Sequence, residues 1–70
     1  MRYLVVVERG RTGWGAHVPD LPGCAAAAAS RDEVLELIQD ALARHIRDLR
    51  EEGLPVPPAT ASAEMVNVER

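Results

Sequence analysis

Among the side chains of this protein, the carboxylates are the best candidates for a set of catalytic residues. A ribonuclease that uses Mg²⁺ needs two or more clustered carboxylates. Glu8, Asp20 and Asp32 are candidates, but no spacing argument places them together. The chain also has one cysteine and two histidines, which excludes a disulfide framework and leaves too few ligands for a zinc cluster. The residue types therefore predict no enzyme and no metal or other cofactor.

The cysteine and the two histidines fit structural positions better than reactive ones. Cys24 follows a glycine turn, where a small buried thiol is more common than a nucleophile. His45 lies on the apolar side of the predicted helix, which favours a half-buried packing residue over a ligand or a pH switch. His17 lies on a predicted strand, opposite the face of Trp14, and is expected at the surface or in an interface.

The length and composition predict one small domain that needs additional stabilisation. The chain has 70 residues, and 47% of them are hydrophobic, but eleven residues are alanine and none is phenylalanine. A domain shorter than roughly 70–80 residues often needs stabilisation beyond its hydrophobic core, from disulfides, a bound metal ion or oligomerisation. With no disulfide or metal predicted, we expect self-association, as a homodimer or a dimer of dimers.

The charge pattern narrows the class of partner. The net charge is −3, and all eight basic residues are arginine, with no basic stripe of the kind that nucleic-acid binders carry. No apolar run reaches the roughly 18 residues that a membrane span requires, and the N-terminus does not resemble a signal peptide. A single unpaired cysteine fits a reducing compartment, so we expect a cytoplasmic protein without membrane association.

Hydrophobic periodicity predicts a small α+β domain in which one helix covers one face of a small antiparallel-type sheet, in the order β-β-β-α-β. Residues 3–8 alternate and are apolar on both faces, which predicts a central strand. A second strand is expected over 14–18. The alanine run Ala25–Ala29 is left open, either strand or irregular, because alanine is a poor strand former. A Pro/Ala-rich connector over 53–63, expected to be extended and mobile, leads to a last strand over 64–69.

The helix over residues 31–52 is the clearest element of the pattern. Ser30 and Glu33 form a capping box before a continuous apolar stripe. Gly53 suits the position after the helix, and Pro55 prevents its continuation. The opposite face of the sheet has no predicted cover, which is a second reason to expect self-association.

The stretch 13–24, with the sequence GWGAHVPDLPGC, resembles the signature of HicB-like antitoxins. The helix cap at Ser30 and the helix exit over 51–57 fit the same pattern, so the resemblance covers nearly the whole chain as a single domain, 1–70. It implies a partial RNase H-like fold of order β-β-β-α-β. It also implies an antitoxin of a type II toxin-antitoxin pair, which binds and occludes HicA, a small basic mRNA-cleaving toxin.

Two departures from the family pattern bear on function. Ala25–Ala29 stands where the family commonly has a polar, glycine-containing segment, and no helix-turn-helix or ribbon-helix-helix follows the helix. We therefore expect no sequence-specific DNA binding by this chain alone. The alternative function is an orphan HicB-like oligomeric interaction module that has no toxin partner.

The signature residues form the candidate interface with a partner or a second copy. Trp14 has two interpretations, a core residue or an interface anchor. Asp20 is expected to cap its own turn. The acidic residues of the helix are a solvated face or a surface complementary to a basic toxin, which would speed association. The candidate interface residues are Trp14, His17, Pro19, Asp20, Leu21 and Pro22.

Overall fold

A computed structural model describes residues 1–69 of the chain. It contains three strands, β1 (Val6–Arg9), β2 (Trp14–His17) and β3 (Ala25–Ala28), followed by one helix, α1 (Arg31–Glu51). The strands form one antiparallel sheet in the order β1-β2-β3. The α+β class and the β-β-β-α order are confirmed, whereas the RNase H-like relationship stays a prediction.

The strand register sorts the side chains of the sheet onto two faces. Val7, Ala16 and Ala26 lie opposite one another across the three strands and pack toward α1. The next row lies on the outer face, because successive residues of a strand alternate. That outer row consists of Val6, His17 and Ala25.

A small core lies between the inner face of the sheet and α1. Val34 and Ile38 are its helix residues, one turn apart, and both are buried. The turn between β2 and β3 adds side chains to the same core. The buried hydrophobic residues are Ala16, Val18, Leu21, Cys24, Val34 and Ile38.

The helix begins and ends where local signals predict. The Oγ of Ser30 accepts a hydrogen bond from the N–H of Glu33 at 3.2 Å, and its hydroxyl donates to Oε1 of Glu33 at 2.9 Å. At the other end Gly53 has a φ of +71°, a left-handed conformation that glycine adopts without strain. The N–H of Leu54 then donates to the carbonyl of Leu49 at 2.8 Å, which closes a Schellman motif. The helix ends one residue earlier than predicted.

Strand pairing resolves the alanine run and corrects the position of the first strand. Ala25–Ala28 is a strand, because its ladder with β2 outweighs the weak strand propensity of alanine. The prediction of a central first strand is wrong, since β1 lies at an edge of the sheet. Apolar residues on both faces of a strand indicate that both faces are covered. They do not indicate whether the strand has one neighbour or two within the sheet.

The last predicted strand, 64–69, is not formed in the single chain. These residues belong to no helix or strand and are exposed. A strand needs a neighbour to satisfy its backbone groups, and no strand of residues 1–69 pairs with this segment. The connector that precedes it is attached to the body of the domain by hydrogen bonds, as described below, and its expected mobility stays a prediction.

Candidate protein-binding site

The turn between β2 and β3, residues 18–24, is held rigidly by its own backbone and by the core. The N–H of Val18 donates to the carbonyl of Cys24, and the N–H of Cys24 donates to the carbonyl of Leu21, both at 3.1 Å. All three side chains are buried. Gly23 has a φ of +86°, a conformation that glycine adopts without strain and that lets the chain reverse direction before β3. The exposed atoms of this signature turn are therefore presented in one fixed arrangement.

The six predicted interface residues do not form one patch. Pro19 and Pro22 are exposed on the signature turn, but Leu21 between them is only 1% exposed and belongs to the core. His17 is exposed on the outer face of the sheet. Trp14 is half-buried, packs toward the core and lies at the other end of β2, about 13 Å from the turn at roughly 3.3 Å per residue.

Asp20 joins the signature turn to the segment that follows the helix. Its Oδ2 accepts hydrogen bonds from the N–H groups of Thr60 and Ala61, both at 3.0 Å, and its Oδ1 accepts from the Thr60 hydroxyl at 2.9 Å. These bonds replace the local turn-capping role that the sequence predicts for Asp20. The Tyr3 hydroxyl donates to the carbonyl of Pro57, which makes a second attachment. The connector is therefore fixed at two points.

The hydrogen bonds on Asp20 favour its charged form. The N–H of Ala61 is the main cause that lowers the pKa of Asp20 from its usual value of 3.8, partial desolvation opposes it, and the Thr60 hydroxyl and N–H add to the lowering. Because the pKa is lower in the folded protein, the attachment is fully present above the unfolded value and weakens as the pH falls through the folded value. The attachment is thus complete at neutral pH.

We predict that the attachment at Asp20 opens in acid and that the Asp20→Asn variant removes this dependence. The amide can keep the pattern, since its oxygen accepts from the N–H groups of Thr60 and Ala61 and its NH₂ group donates to the Thr60 hydroxyl. Amide proton shifts of Thr60 and Ala61, followed from pH 6 to pH 2, should move with a midpoint below 3.8 in the wild type and stay constant in Asp20→Asn.

Comparison of Asp20→Ala with Asp20→Asn separates the loss of the charge from the loss of all three hydrogen bonds, because only the alanine variant removes the bonds. It should accelerate hydrogen exchange at Thr60 and Ala61 at neutral pH, whereas Asp20→Asn should retain most of the protection. Equal exchange in the wild type and in Asp20→Ala would show that the carboxylate does not hold the connector.

The remaining polar groups do not assemble a catalytic or metal centre. Burial raises the pKa of the Cys24 thiol, which disfavours the reactive thiolate. His45 is half-buried on the helix, as predicted. Within residues 1–69 no group of three or more His, Cys, Asp or Glu side chains is arranged to hold a metal ion. In the same residues, no helix is both long and apolar enough to cross a membrane.

The first half of α1 carries an acidic surface with an apolar residue in it. Asp32, Glu36 and Asp40 are exposed at i, i+4 and i+8, so they lie along one side of the helix. Leu37 is 46% exposed, and Glu33 and Asp40 are its neighbours one turn away on either side. Leu37 is not among the interface residues predicted from the sequence, although its place outside the core-facing apolar stripe is a signal that marks it. We call these five residues the acidic helix surface.

Comparison with known proteins gives one family and two curated relatives. Residues 3–70 match the family described as "HicB_like antitoxin of bacterial toxin-antitoxin system". The chain is 36% identical over 67 residues to "Antitoxin HicB 2" of Photorhabdus laumondii, with 90% of this chain and 47% of the relative covered. It is 27% identical over 67 residues to an uncharacterized 14.9 kDa protein of Haemophilus phage HP1, with 96% of this chain and 50% of the relative covered. The chain thus spans about half the length of these relatives, and no solved structure is a significant match.

Proposed function

Because the chain belongs to the HicB-like antitoxin family of bacterial toxin-antitoxin systems, we propose that it binds a HicA-like toxin and covers the surface with which that toxin holds mRNA. The family match over residues 3–70 is the observation that carries this proposal. Such a function needs a protein surface and no reaction centre. We infer that the chain acts as a binding protein in the cytoplasm, where mRNA is found, and not as an enzyme.

The acidic helix surface is the part of the domain best suited to a basic toxin. Residues 31–43 carry four acidic side chains and one basic side chain, so this half of α1 is negative. Complementary charge raises the rate of association more than it sets affinity. Leu37, exposed among these carboxylates, supplies apolar area of the kind that slows dissociation. The proposed toxin contact therefore has an apolar centre and a charged rim.

The signature turn is a second proposed contact. Pro19 and Pro22 are exposed, and the buried side chain of Leu21 and the bonds of Asp20 hold them in place. A surface that is already rigid loses little conformational entropy on binding. His17 and Trp14 stay in the proposal as candidates for contacts elsewhere on the domain.

We also propose that the chain self-associates and that by itself it does not bind DNA with sequence specificity. The outer face of the sheet supports self-association, since His17, Ala25 and Ala27 are exposed there. The net charge of −3 supports the second proposal, because phosphate contacts need a basic surface. A toxin-free oligomeric module is the alternative function.

We predict that a gene beside this one encodes a small basic protein with RNA-cleaving activity, and that this protein, co-expressed with the chain, co-purifies with it and loses that activity. The Glu36→Lys/Asp40→Lys variant should associate at least about tenfold more slowly at low salt, since steering by charge changes on-rates by about 10–10³. Biolayer interferometry at two salt concentrations measures the rate, and cleavage of a test mRNA measures inhibition.

The matched control is Glu51→Lys/Glu52→Lys, which makes the same change of charge at the other end of the helix. It should bind at nearly the wild-type rate, because charge near the contact dominates steering. Equal slowing by both variants would place the toxin away from the acidic helix surface. No complex and no inhibition with the wild type would leave the toxin-free alternative.

A further inference from the structure

The signature turn consists of two consecutive β-turns, and its backbone closes without help from the Asp20 side chain. In each turn, over 18–21 and over 21–24, the N–H of the fourth residue donates to the carbonyl of the first. Pro19 and Pro22 occupy the second positions, for which the fixed φ of proline is suited. The carboxylate of Asp20 is therefore available for a contact outside the turn.

Pro22 removes the local donor that an aspartate in a turn commonly uses. An aspartate side chain often accepts a hydrogen bond from the backbone N–H two residues further along the chain. For Asp20 that residue is Pro22, which has no N–H. Both carboxylate oxygens instead accept from the connector, at Thr60 and Ala61. The sequence of the signature turn thus favours a contact between its one carboxylate and the connector.

The connector follows a defined path although it has no regular secondary structure. Residues 55–61 belong to no helix or strand, and none of them is fully buried. Placing each such residue in one conformation costs roughly a factor of ten in an equilibrium constant. The hydrogen bonds from Tyr3 to Pro57, and from Thr60 and Ala61 to the signature turn, oppose that cost. The two residues between these attachment points are consequently presented beside the turn.

The signature turn and the connector together expose an apolar surface. Pro19 and Pro22 are exposed on the turn, and Pro58 and Ala59 are exposed on the connector between its attachment points. Asp20 is the one charged residue of these two segments, and both of its oxygens accept hydrogen bonds. The centre of a protein interface is typically depleted of charge. We call the four exposed residues the turn–connector surface.

A partner that covers the signature turn also reaches the connector. Hydrogen bonds of 2.9 and 3.0 Å join Asp20 to Thr60. Pro22 and Pro58 are each two residues from this junction, a chain distance of at most about 8 Å. A standard interface buries about 800 Å² on each partner, the area of a disc of about 16 Å radius. A toxin centred on the signature turn would therefore extend over the whole turn–connector surface.

We propose that Asp20 is a positioning residue for toxin binding, which holds the connector beside the signature turn so that Pro58 and Ala59 contact the toxin together with the turn. The inference rests on the proposed function and adds the connector to the toxin contact. When the attachment is lost, the toxin has to order the connector as it binds, and this ordering lowers affinity. Ordering a single residue already corresponds to about tenfold, so Asp20→Ala should raise the dissociation constant at least about tenfold.

Biolayer interferometry with the small basic protein of the neighbouring gene tests the positioning role. Asp20→Ala and Asp20→Asn remove the same charge, but only the amide can keep the hydrogen bonds to Thr60 and Ala61. Asp20→Asn should bind nearly as tightly as the wild type, and Asp20→Ala should dissociate faster at low and at high salt. Equal affinity of Asp20→Ala and the wild type would overturn the proposal. Equal weakening by both variants would also overturn it, because the charge and not the attachment would then matter.

The Ala59→Arg variant tests the connector contact directly. Ala59 is exposed and makes none of the bonds to Asp20, so the variant should fold with the connector attached. A large cationic side chain there should obstruct a basic toxin and weaken binding at least about tenfold, as truncation of a central contact residue does. The control Thr12→Arg adds the same side chain in the hairpin at the opposite end of β2 and should bind like the wild type.

The outcomes distinguish this inference from the proposed function. A wild-type chain that binds the toxin, with Ala59→Arg equal to it in affinity, would overturn the connector contact and leave the proposed function intact. A wild-type chain that binds no such protein would overturn the proposed function and this inference together. Weakening by Ala59→Arg and by Asp20→Ala, with wild-type affinity in Thr12→Arg and near wild-type affinity in Asp20→Asn, is the expected result.

Discussion

The Ile38→Ala variant is expected to lose about half of the folding stability of the domain. Ile38 is 1% exposed and belongs to the core cluster formed by α1, the sheet and the β2–β3 turn. Truncating such a residue to alanine costs about 2–5 kcal/mol, because apolar contacts are lost and a cavity remains. At about 0.05–0.15 kcal/mol per residue, the whole chain has a free energy of unfolding of about 4–10 kcal/mol. Urea denaturation followed by circular dichroism measures the loss.

Leu37→Ala is the matched control for this change. Leu37 precedes Ile38 on the same helix but is 46% exposed, so its truncation should change the free energy of unfolding by about 0.5 kcal/mol or less. Both variants are compared at one protein concentration, because self-association adds to the apparent stability. A cost at Ile38 no larger than that at Leu37 would mean that α1 does not pack on the sheet as described.

Local signals in the sequence were sufficient to predict the helix. A capping box at Ser30 and Glu33, an apolar stripe and a glycine with positive φ at Gly53 all act within a few residues of the helix ends. Each of these contributes its stabilisation largely independently of the rest of the fold. The predicted and observed helix therefore differ by one residue at the C-terminal end.

Non-local contacts determined the features that the sequence did not predict. The residues that donate hydrogen bonds to Asp20 lie 40 and 41 positions away in the sequence. Two of the three donors are backbone N–H groups, which the type of the donating residue does not reveal. The strand state of Ala25–Ala28 depends on pairing with β2, against its propensity. The edge position of β1 depends on which strands pair, a property that alternation of side chains does not encode.

The candidate interface was predictable only in part, for a related reason. Alternation along β2 correctly separated His17 from Trp14 onto opposite faces. The signature turn does not follow an alternating pattern, because its chain folds back through hydrogen bonds between Val18, Leu21 and Cys24. Leu21 is consequently a core residue that positions its exposed neighbours, and its presence in the signature reflects packing.

Alanine substitution at Gly13 and at Gly15 is expected to change stability in opposite directions. A Cβ at Gly13 would lie 2.6 Å from the carbonyl oxygen of Ala28, closer than real Cβ atoms approach. That oxygen belongs to the backbone of β3, next to the pair Trp14 and Ala28 in the β2–β3 register, so it cannot move without disturbing the sheet. We expect Gly13→Ala to cost about 1–3 kcal/mol, as overpacking typically does.

Gly15→Ala is the control that isolates this steric effect from the general consequences of replacing glycine. A Cβ at Gly15 would meet its nearest atom, the carbonyl oxygen of Ala26, at 3.9 Å, which is ordinary contact. Neither Gly13 nor Gly15 has a positive φ, so the backbone conformation permits alanine at both positions. At Gly15, where no clash occurs, alanine restricts the unfolded chain without straining the folded one, and the free energy of unfolding should rise by about 0.4–1 kcal/mol. Thermal and urea unfolding of both variants give the two signs. Destabilisation of equal size at both positions would contradict the close approach of Gly13 to β3 and would indicate that the strands need glycine flexibility instead.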